Sequence, residues 1–97
     1  MGEDSGTRVA VRVVVRGQVQ GVGFRWSAQQ RAAELGVVGW VRNETDGSVA
    51  AHLEGAPDAV RAMLAWCHEG PRSAHVSDVD QHDADVERTA TTLDVRG

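Results

Sequence analysis

Gly17-Gln18-Val19-Gln20-Gly21-Val22-Gly23-Phe24-Arg25 joins a valine-rich segment to an amphipathic one, and its reading decides the fold. Before it, from Arg8 to Arg16, Val9, Val11, Val13 and Val15 alternate with Ala10, Arg12, Val14 and Arg16. Period two with β-branched residues predicts a half-buried strand. After it, from about Val22 to Leu35, the residues Phe24, Ala28, Ala32 and Leu35 recur at helical spacing. That apolar stripe predicts a helix, and Gly36 is placed to stop it. The nonapeptide is therefore a strand-to-helix turn carrying three glycines.

Such a turn has chemical consequences. Glycine lets the backbone adopt positive φ and approach a ligand closely. The first turn of the helix leaves N–H groups without intrahelical partners, and its dipole favours an anion there. Arg25 adds a planar, permanently charged fork suited to phosphate or carboxylate. The functional reading is a phosphate site; the bland one is a tight turn with a solvent-facing arginine. Two better-known phosphate motifs are excluded. A P-loop ends in Gly-Lys-Ser/Thr, and the chain has no lysine. The dinucleotide fingerprint fails because Trp26 stands where its third glycine belongs.

Outward from this turn, Val37 to Asn43 predicts a second strand and Ser48 to Glu54 a third, with His52 opposite Val49, Ala51 and Leu53. Between them Asp46-Gly47 signals a hairpin, since both positions tolerate positive φ. Pro57 and Asp58 suit a helix start. Val60, Met63, Leu64 and Cys67 then form a core stripe, which makes Cys67 a buried small hydrophobe. Gly70-Pro71 ends that helix. Val76 and Val79 anchor a fourth strand whose odd spacing predicts a bulge. Asp83 to Arg88 reads as a charged loop. Thr91 to Arg96 reads as a short last strand with Leu93 and Val95 inward. The order is βαββαβ plus one more strand. It predicts an α+β, ferredoxin-like sandwich: two helices on one face of a mostly antiparallel four- to five-stranded sheet.

Composition narrows the function classes. The 97 residues suit a single domain over 7–97, after a frayed tail at 1–6. No apolar run is long enough to span a bilayer, and the polar, acidic start is no signal peptide, so a cytoplasmic protein without membrane contact is expected. Net charge is −4, with four aromatic residues (three Trp, one Phe). That balance opposes nucleic-acid binding in general and an RNA-binding sheet face in particular. One cysteine excludes an internal disulfide and a cysteine-based zinc site. His52, His68, His75 and His82 lack metal-ligand spacing and read as surface residues; no metal or cofactor is expected. Trp26 lies off the helix stripe and reads as a packing or rim residue. Asn43 ends a strand before the hairpin, where it reads by default as a turn former. If the first strand pairs with the one after the hairpin, its amide instead lies near Arg25.

At this point the sequence resembles a known family. Gly17 to Arg25 is similar to the acylphosphatase signature G-x-V-Q-G-V-x-F-R. Gly39-Trp40-Val41-Arg42-Asn43-Glu44-Thr45-Asp46-Gly47-Ser48-Val49 is similar to the second signature, G-x-V-x-N-x-x-D-G-x-V. Gly70-Pro71, Ala74 and Val76 also fit, and the likeness runs from about Val9 to Arg96. The resemblance implies a five-stranded ferredoxin-like fold. It also implies metal-independent hydrolysis of the carboxyl–phosphate bond of small acyl phosphates; a monomer is the simplest expectation for the working form. By position it implies that Arg25 holds the phosphoryl group and that Asn43 positions the attacking water. The main chain of Gln20, Gly21, Val22, Gly23, Phe24 and Arg25 would form the phosphate cradle. The chain departs from the family at Ser27, where an aromatic residue is common, and at Leu93, where phenylalanine is. The competing reading is a phosphate-binding or regulatory module that keeps the site without turnover.

Overall fold

The computed structural model describes residues 7–97. The tail expected over residues 1–6 lies outside them. The chain runs β1 (Val9–Gln18), α1 (Phe24–Leu35), β2 (Val38–Asn43), β3 (Val49–Gly55), α2 (Pro57–Glu69), β4 (His75–Ala84) and β5 (Leu93–Arg96). The strands form one sheet in the order β4-β1-β3-β2-β5. Every pairing is antiparallel except β2 with β5. Both helices pack on one face, against Val11, Val13 and Val15 of β1 and Leu53 of β3. Phe24, Ala28 and Ala32 of α1 and Val60, Met63 and Cys67 of α2 complete that core. This is the ferredoxin-like plan expected from the sequence, with the fifth strand present.

The pairing dictates where the loops go. β1 and β2 are each antiparallel to β3, so they run in the same direction, and β5 is parallel to β2. The carboxyl ends of β1, β2 and β5 therefore lie at one end of the sheet. Gln18, Asn43 and Arg96 are the residues found there.

Several boundaries differ from the sequence reading, each for a local reason. β1 continues two residues into the glycine turn because β4 pairs with Gly17 and Gln18 through Val76 and His75. The expected irregularity lies just before: Arg16 faces Asp78 while Gly17 faces Val76, leaving Ser77 as the extra residue of a bulge. Gly17 has φ +129, and a Cβ there would collide with the carbonyl of His75. α1 starts at Phe24 rather than Val22, because Gly21 and Gly23 both have positive φ. The hairpin forms, but only Gly47 takes positive φ, at +93. The turn closes with Gly47 N–H on the Glu44 carbonyl (3.2 Å) and Glu44 N–H on the Ser48 carbonyl (2.9 Å), a longer loop than Asp46-Gly47 alone. Asp83 and Ala84 belong to β4 rather than to a loop. Leu93 is buried as expected, whereas Val95 is exposed. Cys67 is buried in α2, and burial pushes its thiol up to about 12.

His52 is the largest correction: it is only 1% exposed. It lies on the sheet face away from the helices, stacked on Trp40 with centroids 6.3 Å apart. Arg12 Nε donates to His52 Nδ1 (2.9 Å), and a guanidinium cannot accept, so Nε2 donates to Glu54 Oε1 (3.0 Å). Glu54 is buried as well. Its carboxylate also accepts Arg8 Nη1 (3.1 Å) and the N–H groups of Glu87 (2.9 Å) and Arg88 (2.8 Å). Arg88 stands at φ +58, a conformation that non-glycine residues seldom adopt. The carboxylate thus pins the connection between β4 and β5 to β3. Burial pushes the Glu54 carboxyl up, but these donors outweigh it and hold the group at about 2, below its ordinary 4.5.

A carboxyl whose folded value is depressed contributes stability above its unfolded value and loses it as pH falls toward the folded one. The contribution here is on the order of 3 kcal/mol, present above about pH 4.5 and lost toward pH 2. Urea unfolding at a series of pH values is expected to show a steep loss of stability below pH 4.5. In Glu54→Gln that acid limb is expected to flatten, with lower stability at pH 7.

Candidate active site

The site is assembled at the sheet end where β1, β2 and β5 finish. After β1, Val19 is buried and residues 20–23 turn the chain into α1. Gly21 (φ +77) and Gly23 (φ +79) make this turn, and a side chain at either would meet open space. Their role is conformational, not one of clearance. Gly23 is the N-cap of α1, with no side chain capping the helix and no acidic residue in its first turn. The first backbone bond at this end is Ser27 N–H to the Gly23 carbonyl (2.9 Å). The amides of Phe24, Arg25 and Trp26 precede it, so the positive end of the helix is left for something other than a side chain.

Arg25 follows at once and is half-buried. Its Nη1 donates to the Arg96 carbonyl at the end of β5 (2.6 Å). Six other arginines are ion-paired: Arg8, Arg12, Arg16, Arg31, Arg42 and Arg61. Arg25 has no such partner among the described residues. A carbonyl orients the guanidinium without cancelling its charge, whereas a carboxylate would neutralise the site. Three arginines, Arg12, Arg16 and Arg42, also meet in a hollow of about 290 Å³ on the open sheet face. Their carboxylate partners make that hollow a poorer anion site.

Arg25 and Asn43 share a pocket of about 160 Å³. Gly21, Gly23 and Phe24 line it on the helix side, Val19 at its base, and Trp26 and Val95 at its mouth. The sequence expectation that Asn43 lies near the glycine turn is met because β3 separates β1 from β2. Asn43 pairs with Val49 as the last residue of β2. Its side-chain amide bonds to no other described residue and is available to the pocket.

The side chains of Gln20 and Val22 are engaged outside the pocket. Val22 packs on the core, and its carbonyl accepts Ser73 Oγ (2.8 Å). The Gln20 side chain does something the sequence did not reveal. Its Nε2 donates to the Glu44 carbonyl (2.7 Å) and the Ser48 carbonyl (2.9 Å), using both amide protons. It thereby joins the glycine turn to the hairpin turn that begins after Asn43. The hairpin is braced from inside as well: Ser48 donates to Asp46 Oδ1 from both Oγ (2.6 Å) and N–H (2.9 Å). The hydroxyl bond, then the amide bond, hold the Asp46 carboxyl below its usual range. Among the described residues no group of three or more His, Cys, Asp or Glu is placed to hold a metal ion.

Comparison with known proteins gives a consistent picture. The acylphosphatase family profile matches residues 11–94. An acylphosphatase of Nocardioides sp. is 60% identical over 82 residues, which covers 84% of this chain and 83% of that protein. Among solved structures, an acylphosphatase from Coxiella burnetii superposes with a TM-score of 0.89 at 35% identity, covering 99% of this chain and 100% of its own. The acylphosphatase from Bacillus subtilis superposes with a TM-score of 0.86 at 28% identity, covering 92% and 99%.

The Gln20 bridge has a measurable contribution. Gln20→Met keeps length and removes both donors, leaving the Glu44 and Ser48 carbonyls only their main-chain partners within the hairpin. Each such bond contributes about 1 kcal/mol. Melting is expected to fall by roughly 4–8 °C per kcal/mol lost in a domain of this size. Amide exchange is expected to speed up across residues 44–48 and not in α2. Unchanged exchange there would show that the bridge does not hold the hairpin.

Proposed function

The chain belongs to the acylphosphatase family, and from that premise we propose how its pocket works. It hydrolyses acyl phosphates, giving a carboxylate and inorganic phosphate. In the proposed mechanism the main-chain N–H donors of the turn from Gln20 through Gly21, Val22, Gly23 and Phe24 to Arg25 receive the phosphoryl oxygens. Gln20 braces the edge of that cradle. The Arg25 guanidinium neutralises charge on the same oxygens. The Asn43 amide holds one water in line with the bond that breaks.

The chemistry needs little more. Water oxygen forms a bond to phosphorus while the bond from phosphorus to the acyl oxygen breaks, and the electron pair leaves on the carboxylate. A carboxylate is stable at neutral pH without protonation, so no general acid is required. The proton of the water passes to a phosphoryl oxygen. Phosphoryl transfer of this kind depends on positioning and charge stabilisation rather than on covalent chemistry by the protein.

The observation that carries this reading is the shared pocket: an unpaired-charge arginine, a free amide and an uncapped helix start open onto one space. No observation favours a binding module without turnover. The proposed working form is a cytoplasmic monomer over residues 7–97 that acts on small acyl phosphates, away from membrane and nucleic acid. The ion pairing of the arginines on the open sheet face supports the last point.

The purified protein is expected to hydrolyse benzoyl phosphate at the same rate with and without EDTA. Arg25→Ala is expected to lower kcat/KM by at least about 10³, and Asn43→Ala to lower kcat by about 10²–10³, at unchanged circular dichroism. Wild-type rates in either variant would remove the role assigned to that residue.

A further inference from the structure

The described residues expose two large hydrophobic side chains, Trp26 at 65% and Val95 at 41%. Scattered apolar residues on a surface need no explanation. These two are not scattered. They come from different elements, α1 and β5, and both line the pocket that holds Arg25 and Asn43. Trp26 follows Arg25 directly. Val95 precedes Arg96, whose carbonyl takes the Arg25 guanidinium (2.6 Å). One hydrogen bond therefore ties together the two segments that carry these side chains, through the phosphoryl-binding arginine. Inside the pocket are main-chain donors and charge; at its mouth are an indole and an isopropyl group.

An acyl phosphate has the same polarity. Its phosphoryl end is charged and its acyl end is whatever the carboxylic acid supplies. With the phosphoryl group at Arg25, the acyl group extends to the mouth. We propose that Trp26 and Val95 form an acyl clamp that selects acyl phosphates with flat or bulky apolar acyl groups over small or charged ones. This inference rests on the reading of the pocket as the reaction site. The flat indole offers the larger contact area, and apolar area removed from water is what would favour an aromatic or branched acyl group.

The test compares kcat/KM for benzoyl phosphate and acetyl phosphate in the wild type, Trp26→Ala, Trp26→Phe and Val95→Asp. The benzoyl-to-acetyl ratio is expected to fall about tenfold in Trp26→Ala, carried by KM for benzoyl phosphate. Trp26→Phe is expected to recover most of the ratio, and Val95→Asp to lower it as Trp26→Ala does. A ratio unchanged in both Trp26→Ala and Val95→Asp would overturn the clamp while leaving the hydrolytic reading intact. Failure of the wild type to hydrolyse either substrate would overturn the hydrolytic reading and the clamp with it.

Discussion

The pairing of β3 between β1 and β2 is the constraint on which the site depends. Antiparallel hydrogen bonds on both sides of β3 force its neighbours to run in one direction. Two segments far apart in sequence, the glycine turn and Asn43, are thereby delivered to one end of the sheet. The parallel addition of β5 beside β2 brings a third. Open sheets with parallel neighbours commonly bind ligands where strand ends meet a helix start, and the same geometry operates here on a mostly antiparallel sheet. Side-chain chemistry refines this arrangement but does not create it. Gln20 links the first two segments through main-chain carbonyls, and Arg25 links the first and third in the same way.

Main-chain carbonyls suit this purpose because of charge. The chain has a net charge of −4, so carboxylates are at hand for most of its arginines. Exposed ion pairs of that kind contribute little to stability and would be tolerated almost anywhere. At an anion site, however, a carboxylate neighbour would compete with the ligand. Arg25 is held by a carbonyl, and α1 begins without an acidic first turn or a capping side chain. The omissions matter, because such caps ordinarily stabilise a helix by about 1 kcal/mol. The helix forgoes that contribution at the end where a bound phosphoryl group would take the place of a cap. At the opposite end of the sheet, Glu54 is surrounded by donors and acts as a structural anchor.

Much of this was legible in the sequence. Period-two valines, the helical stripe from Phe24 to Ala32 and the stripe from Val60 to Cys67 locate β1 and both helices within a residue or two. The glycine turn and Asn43 were legible as types of site, and their proximity followed once the strand order was inferred. What escaped was long-range and specific. His52 alternates correctly with Ala51 and Leu53, and on an antiparallel sheet that pattern ordinarily means solvent. It is the tertiary fold that brings Trp40, Arg12 and Glu54 over it. Gln20 was read through its backbone, because nothing local to it signals that its amide reaches two carbonyls beyond β2. Val95 has the inward parity of Leu93, but the core ends one strand turn earlier and leaves it at the pocket mouth.

Cys67 has a consequence of a different kind. The only thiol of the chain sits beneath α2, held in its protonated, unreactive form. Alkylating reagents can reach it only when the helix lifts from the sheet. The rate of its covalent capture is therefore a clock for that opening, built into the natural sequence and readable without any introduced label.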